Sequence, residues 1–562
     1  MKLLKYFTIL ILFGICSSCD EEDFLTEEPR DDIYADQLYS TYDGFQMALN
    51  ASYAMVREEF ATTANTSLGT QVYMLAGTDI AWSPNTSGSD SDWLNWSTDL
   101  SPDNDAVEDI FMWLYREINS VNKIIARAEN PDVDWQGTST DENSERMKEI
   151  IAHAKLLRAW AYRHLTYLYS DVPLSLDEID GANYKTDWVR TPVPEIRAQM
   201  IEDLIFAKEN LPWRYDNPGR ANKAVAMHYL AETYCATGEY SKAVAEAATV
   251  IENSGYALVT NRFGNNASNP GNHFIDMFRE PFYTDGNTET LWGFLNIEES
   301  VNPEGNFNNR IRDQYYSYYS NATPVKNYMK NNNISTDDQL KVYEFNGGKG
   351  AQRAAMTAWA FNLYEDQDLR ADQYSIARYI IFPNKDNASQ IDTLLFTHTT
   401  TFSDEFYQTE KEEGTGGASA EWPFTKKWDY VNPADPKGVN SYNDFIYLRL
   451  AETYLVYAEA LLGNGEADAA KATLNVLRNR SNASEFSGTV DIDFILDERA
   501  RELFGEVARR HALVRTGKFL ERSRTYNRYM YFHLKDFHEY WPIPQSVIDS
   551  NTGSVMEQNP GY

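Results

Sequence analysis

The sequence predicts a mainly α-helical chain, and three observations carry that prediction. Apolar residues recur at three- and four-residue spacing through long stretches beyond residue 40. A two-helix repeat occurs twice, its key positions 227 residues apart. Between the copies, residues 260–440 are rich in turn formers and broken by short strand-like runs. The picture is a helical scaffold that displays a loop-built face.

The chain has 562 residues, with 43% hydrophobic and 24% charged positions, the composition of a globular protein. Asp and Glu number 84 against 50 Lys and Arg, a formal net charge of −34. A nucleic-acid binder must neutralise phosphates with basic groups, so no nucleic-acid partner is expected. Binding of an anionic membrane through the protein surface is disfavoured on the same ground. Three cysteines build no disulfide framework.

Residues 1–18 read as a secretory signal: Lys2 and Lys5, then an apolar run from Phe7 to Ile15, then Ser17 and Ser18. The run is too short to span a membrane as a helix. Losing this leader takes the formal charge from −34 to −36. Asp20, Glu21, Glu22 and Asp23 begin an acidic stretch that continues to residue 38, a solvated tether ahead of one domain over 39–562.

Within the body, Val107, Ile110, Phe111, Leu114, Ile118, Val121 and Ile125 mark a helix over 104–130, stopped by Pro131. Ile151, Ala154, Leu157, Ala161, Leu165 and Leu168 mark another over 144–170. Helices over 194–210 and 221–237 flank LPWRYDNPGR, a Pro- and Gly-rich break. In 224–252 the residues Leu230, Ala231, Tyr234, Gly238, Ala243, Ala247 and Val250 fit the tetratricopeptide template of two antiparallel helices. Ala458, Leu461, Gly465, Ala470, Leu474 and Leu477 repeat it. Glycine after the first helix permits a left-handed cap. The helical repeats are thus expected mainly within 104–252 and 443–520. Glu289–Leu295 and Tyr379–Phe382 are the clearest strand candidates, with Trp292 in the core.

No nucleophile elbow, zinc pair, phosphate loop or dinucleotide fingerprint is present. DERARE (Asp497–Glu502) is more simply a salt-bridged helix face than a pair of catalytic acids. No enzyme activity, cofactor or metal is expected; Asp90 and Asp92 lack an EF-hand pattern. Cys235 sits where the repeat needs a small buried residue.

Binding chemistry is better supported. A sugar offers an apolar C–H face and a rim of hydroxyls, which suits aromatic platforms edged by amides and carboxylates. Trp82, Trp93 and Trp96 lie in one turn-rich stretch with Asn85 and Asp92. A second candidate is Asn306–Tyr319, with Arg310, Tyr315, Tyr316, Tyr318 and Tyr319; about two of its four tyrosines are expected to be exposed. Each Trp of the first stretch has an alternative use, pinning the loop to the core.

The last 120 residues carry a family resemblance. DFIYLRLAETYLVYAEALLGNG (444–465), LNVLRNRS (474–481), ILDERARELFGEVARRHALVRTGKF (495–519), WPIPQSVIDSN (541–551) and QNPGY (558–562) follow in order. With FLTEEP (24–29) after the leader, they resemble the SusD/RagB family of Bacteroidetes outer-membrane lipoproteins. Ala512 departs from the Asp common at its position. The resemblance implies a SusD-like fold, tetratricopeptide-like hairpins packed against an irregular loop-rich half. It implies lipidation at Cys19 in a lipobox-like segment that has Cys16 where Leu is usual; the alternatives are lipidation at Cys16 and ordinary cleavage without a lipid. It further implies an exterior-facing position on the outer membrane, held through that lipid. The partner would be a SusC-like TonB-dependent transporter, fed with captured glycan. The alternative cargo is oligopeptide, as in RagB-like relatives.

Overall fold

In the computed structural model, residues 35–60, 69–83, 100–215, 219–295, 311–317, 319, 323–351, 353–384, 390–395, 422–429, 431, 436–438, 441, 443–527, 530 and 533–562 are described. The leader, Cys19 and the acidic tether up to residue 34 lie outside them.

The principal helices are α1 (Tyr42–Arg57), α2 (Asp105–Ala128), α3 (Thr140–Tyr169), α4 (Val193–Asn210), α5 (Lys223–Thr237) and α6 (Tyr240–Asn253). Near the C-terminus come α7 (Leu450–Gly463), α8 (Ala467–Arg480), α9 (Ile492–Leu503) and α10 (Arg509–Arg515). Side-chain caps start α1, α2, α3, α5 and α9. Asn104 Oδ1 accepts from the amides of Ala106 (3.0 Å) and Val107 (3.3 Å). Ser139 Oγ accepts from Glu142 N at 3.1 Å, and the Glu142 carboxylate accepts from Thr138 N at 2.7 Å. That capping pair starts α3 at Thr140, ahead of the position its apolar period alone predicts.

From α2 to α6 each helix packs on the next; α6 then packs on α7, and α7 on α8. The second repeat therefore docks directly on the first, although a long segment separates them in sequence. Gly238 (φ 76°) and Gly465 (φ 85°) occupy equivalent turns. A β-carbon at either would meet nothing within 4 Å, so the left-handed dihedral is what requires glycine. Helix α3 is buried on every side from Ile150 to Tyr169, and α5 from Ala224 to Cys235. These two form the middle of the stack, and Cys235 is in its core as expected.

The described strands pair two at a time: β1 (Ala81–Trp82) with β3 (Ala355–Met356), β2 (Thr290–Phe294) with β8 (Phe445–Arg449), β4 (Ile376–Ala377) with β7 (Phe424–Thr425), and β5 (Tyr379–Pro383) with β6 (Ile391–Leu395). All four pairs are antiparallel. The β2–β8 pair is wholly buried, with Trp292 opposite Leu448. The loop-rich half holds more helix than its composition suggests, for Thr323–Asn331 and Thr336–Phe345 are both helical. Pro324, second in the first of these, sits where a missing N–H costs nothing. The chain adopts a mainly α arrangement of helical hairpins against short strands and loops.

Candidate ligand-binding site

The described aromatic residues of the two predicted stretches are buried. Trp82 is 3% exposed. Its Nε1 donates to Met356 O at 3.2 Å, and Trp422 Nε1 donates to the same carbonyl at 2.9 Å. The two rings meet edge to face, centroids 5.4 Å apart. The expectation of a ligand platform at Trp82 is therefore corrected. Its indole N–H has a buried acceptor and its rings are covered, so it pins the segment to the core. Asn85, Asp92, Trp93 and Trp96 lie outside the described residues.

The tyrosine stretch is corrected likewise. Tyr315, Tyr316 and Tyr319 are all buried. Tyr315 Oη donates to Gln71 Oε1 at 3.1 Å, Tyr316 Oη to the Asp429 carboxylate, and Tyr319 Oη to Gly348 O at 2.6 Å. A phenol with a satisfied buried hydroxyl contributes area to the core instead of a face to solvent. Arg310 and Tyr318 lie outside the described residues.

The DERARE helix α9 is salt-bridged, as its alternating charges suggest, but inside the protein. Glu502 accepts from Arg449 (2.6 Å), Arg370 (3.0 Å) and Arg480; Glu498 accepts from Arg370 (2.6 Å), Arg478 (2.9 Å) and Arg501 (2.8 Å). Burial pushes the Glu498 carboxyl up, but these arginines outweigh it and hold it at about 2. Carboxylates so committed have no proton to give a substrate. His228, Glu232 and Glu452 also converge, their donor atoms within 4.8 Å of one another. Glu232 is gripped by Arg163 (2.8 Å) and Arg515 (3.2 Å), and Glu452 by Arg499. This donor set fits an ion-pair network better than a divalent cation.

Open concavities lie where the helical repeats meet the segments that follow them. A hollow of about 240 Å³ borders Asn50, Arg57 and Arg220; a cavity of about 680 Å³ shares Arg220 and Leu295 with it. A third, of about 780 Å³, shares Tyr256 with the second and reaches Tyr454 and His273. Sequence reasoning missed this row. Its one signal was the LPWRYDNPGR break, which supplies Arg214, Tyr215 and Arg220.

Known proteins share both sequence and fold with this chain. A family model described as "SusD family" matches residues 288–562, and one described as "Starch-binding associating with outer membrane" matches 23–235. SusD-like protein P2 of Formosa agariphila is 25% identical over 581 aligned positions, covering 100% of each chain. Starch-binding protein SusD of Bacteroides thetaiotaomicron is 34% identical over 148 residues, 24% of this chain and 25% of its own. Among solved structures, a SusD homolog from Bacteroides thetaiotaomicron superposes with a TM-score of 0.70 at 18% identity, covering 94% of this chain and 99% of that one. A laminarin-binding SusD-like protein gives 0.64 at 20% identity, covering 92% and 99%. Matched in both halves by sequence and over nearly its whole length by fold, the chain belongs to the SusD/RagB family.

Proposed function

We propose that this protein is a lipid-anchored, cell-surface glycan-binding protein that captures oligo- or polysaccharide and passes it to a SusC-like TonB-dependent transporter in the outer membrane. The observation that carries the reading is family membership combined with relatives named for binding starch and laminarin. The mechanism is capture without covalent chemistry. The best-placed acid pair in the sequence is consumed by arginines, which supports a binding role over hydrolysis.

Trp82 and Tyr315 are buried and serve the core. Trp93, Trp96, Asn85, Asp92 and Arg310 remain the proposed contacts. An exposed site that must release its cargo suits a dissociation constant of about μM to mM, roughly −8 to −4 kcal/mol. Cys19 carries the lipid, and the acidic residues after it form the tether. Calorimetric titration of residues 20–562 against neutral and acidic polysaccharides and an oligopeptide pool tests the reading. Heat with a glycan class is expected; heat with peptides alone overturns it.

A further inference from the structure

The 680 Å³ cavity carries a charge pattern that the chain's composition does not foretell. Arg220 is half-buried there. Its Nη2 donates to Gln46 Oε1 (2.9 Å) and Asn50 Oδ1 (2.6 Å), and its guanidinium lies 4.9 Å over the Tyr53 ring. Its Nη1 is buried with no hydrogen-bond partner among the described residues. Arg214, on the same cavity, donates to Gly255 O at 2.8 Å and stacks 4.1 Å from the Tyr256 ring centre. Among the described residues neither arginine forms an ion pair with a carboxylate. Both are positioned by amides, a carbonyl and aromatic faces, which fix a guanidinium without cancelling its charge.

Two further features point the same way. Asn287 also lines the cavity, and its Nδ2 is a second buried donor without a partner among the described residues. Tyr283, 57% exposed, offers an aromatic face at the mouth. The one acidic side chain among the described lining residues is the exposed Asp285. N–H donors and cations without partners among the described residues, together with an open ring, match a sugar that carries acceptor-only oxygens.

We propose that this cavity is a binding site for an anionic saccharide unit, one bearing a carboxylate or a sulfate ester. Arg220 and Arg214 take the anion, Asn287 an oxygen, and Tyr283 the C–H face of the ring. The proposal rests on the glycan-capture reading and adds to it a charged class of ligand and a place. Non-specific attraction is no substitute for such a site, because a chain of formal charge −34 repels polyanions.

The test is calorimetric titration of residues 20–562 with polygalacturonate against its carboxyl-reduced form, and with dextran sulfate against dextran. At least one anionic polymer is expected to bind about tenfold or more tighter than its neutral partner. The two arms say whether carboxylate or sulfate is the group read. Arg214→Gln and Arg220→Gln should each bring that polymer down to the level of its neutral partner, while Arg220→Lys keeps part of the preference. Arg214 is exposed, so its variant remains informative should Arg220→Gln fold poorly. Equal binding within both pairs, or an unchanged preference in Arg214→Gln, overturns the proposal and leaves capture of neutral glycans standing. Absence of heat with every saccharide overturns both.

Discussion

Replacing Glu502 with Gln should cost this protein about 3–5 kcal/mol of stability, the range for removing one partner from a buried ion pair. The magnitude follows from what surrounds the carboxylate. Among the described residues six cations, Arg370, Lys427, Arg449, Arg478, Arg480 and Arg501, face six carboxylates, Glu289, Glu365, Asp368, Glu498, Glu502 and Glu506. The buried network is charge-balanced although the chain as a whole is strongly acidic. Glu502 meets three of the arginines. Glutamine retains one acceptor oxygen and turns an NH2 toward a guanidinium donor, leaving six cations against five anions out of water. Urea unfolding followed by tryptophan fluorescence and by circular dichroism measures the loss. The exposed Lys242–Glu239 pair is the control, and Glu239→Gln should leave the midpoint where it is. A Glu502→Gln loss below about 1 kcal/mol, the value of a surface pair, would refute the reasoning.

Other perturbations separate scaffold from site. Trp82→Ala should cost about 3–5 kcal/mol by opening a cavity beside Trp422, whereas Trp93→Ala should weaken polysaccharide binding and leave the thermal midpoint nearly unchanged. Burial pushes the Glu59 carboxyl up to about 7, against the opposing hydrogen bond from Tyr447 (2.7 Å). A group raised in this way contributes fully below its ordinary 4.5 and loses that contribution as pH rises through about 7. Stability should therefore fall between about pH 4.5 and 7 by an amount on the order of 3 kcal/mol, and Glu59→Gln should flatten that slope in urea midpoints measured from about pH 4 to 8. A β-carbon on Gly463 would sit 2.4 Å from the Tyr240 ring, so Gly463→Ala should cost about 1–3 kcal/mol by forcing the two repeats apart. Tyr240→Ala in the same background should recover part of that loss in the unfolding midpoint.

The helical half was legible because its information is local. The three- and four-residue spacing of Val107 through Val121, and the matching positions of Ala231 and Ala458, specify helices and their crossings without reference to distant chain. Exposure of the aromatic residues is a different kind of fact. Trp82 is buried because Met356, far along the chain, presents a carbonyl to it. The hydroxyls of Tyr315 and Tyr316 are satisfied by Gln71 and Asp429, which no short-range pattern connects to them. The DERARE charges were read as paired, but pairing does not say which way the helix faces. Arg370 and Arg449 arrive from other segments and turn that face inward. Arg214 and Arg220 were visible only as residues in a loop break. That they lack carboxylate partners among the described residues is a tertiary property, invisible in a chain with so many acids.

The same charge distribution makes a prediction about salt that distinguishes a built anion site from adventitious adhesion. A protein that binds polyanions through a basic surface loses affinity steadily as salt rises, because each contact releases counterions. Among the described residues the interior network is neutral, so the excess negative charge, −34 over the sequence, belongs to groups outside it. At about 0.01 M ionic strength the screening length is roughly 30 Å, and an approaching anionic saccharide feels that whole excess. At about 0.15 M it is roughly 8 Å, so the distant acids are masked while Arg220 and Arg214 still act at contact distance. At about 1 M even their attraction is cut. Affinity for the anionic polymer should therefore pass through a maximum near physiological salt, and Arg220→Gln should remove that maximum. Neutral dextran should bind independently of salt. A monotonic decline from the lowest salt upward would mean that the anion meets a basic surface elsewhere on the molecule, and the cavity would lose its claim.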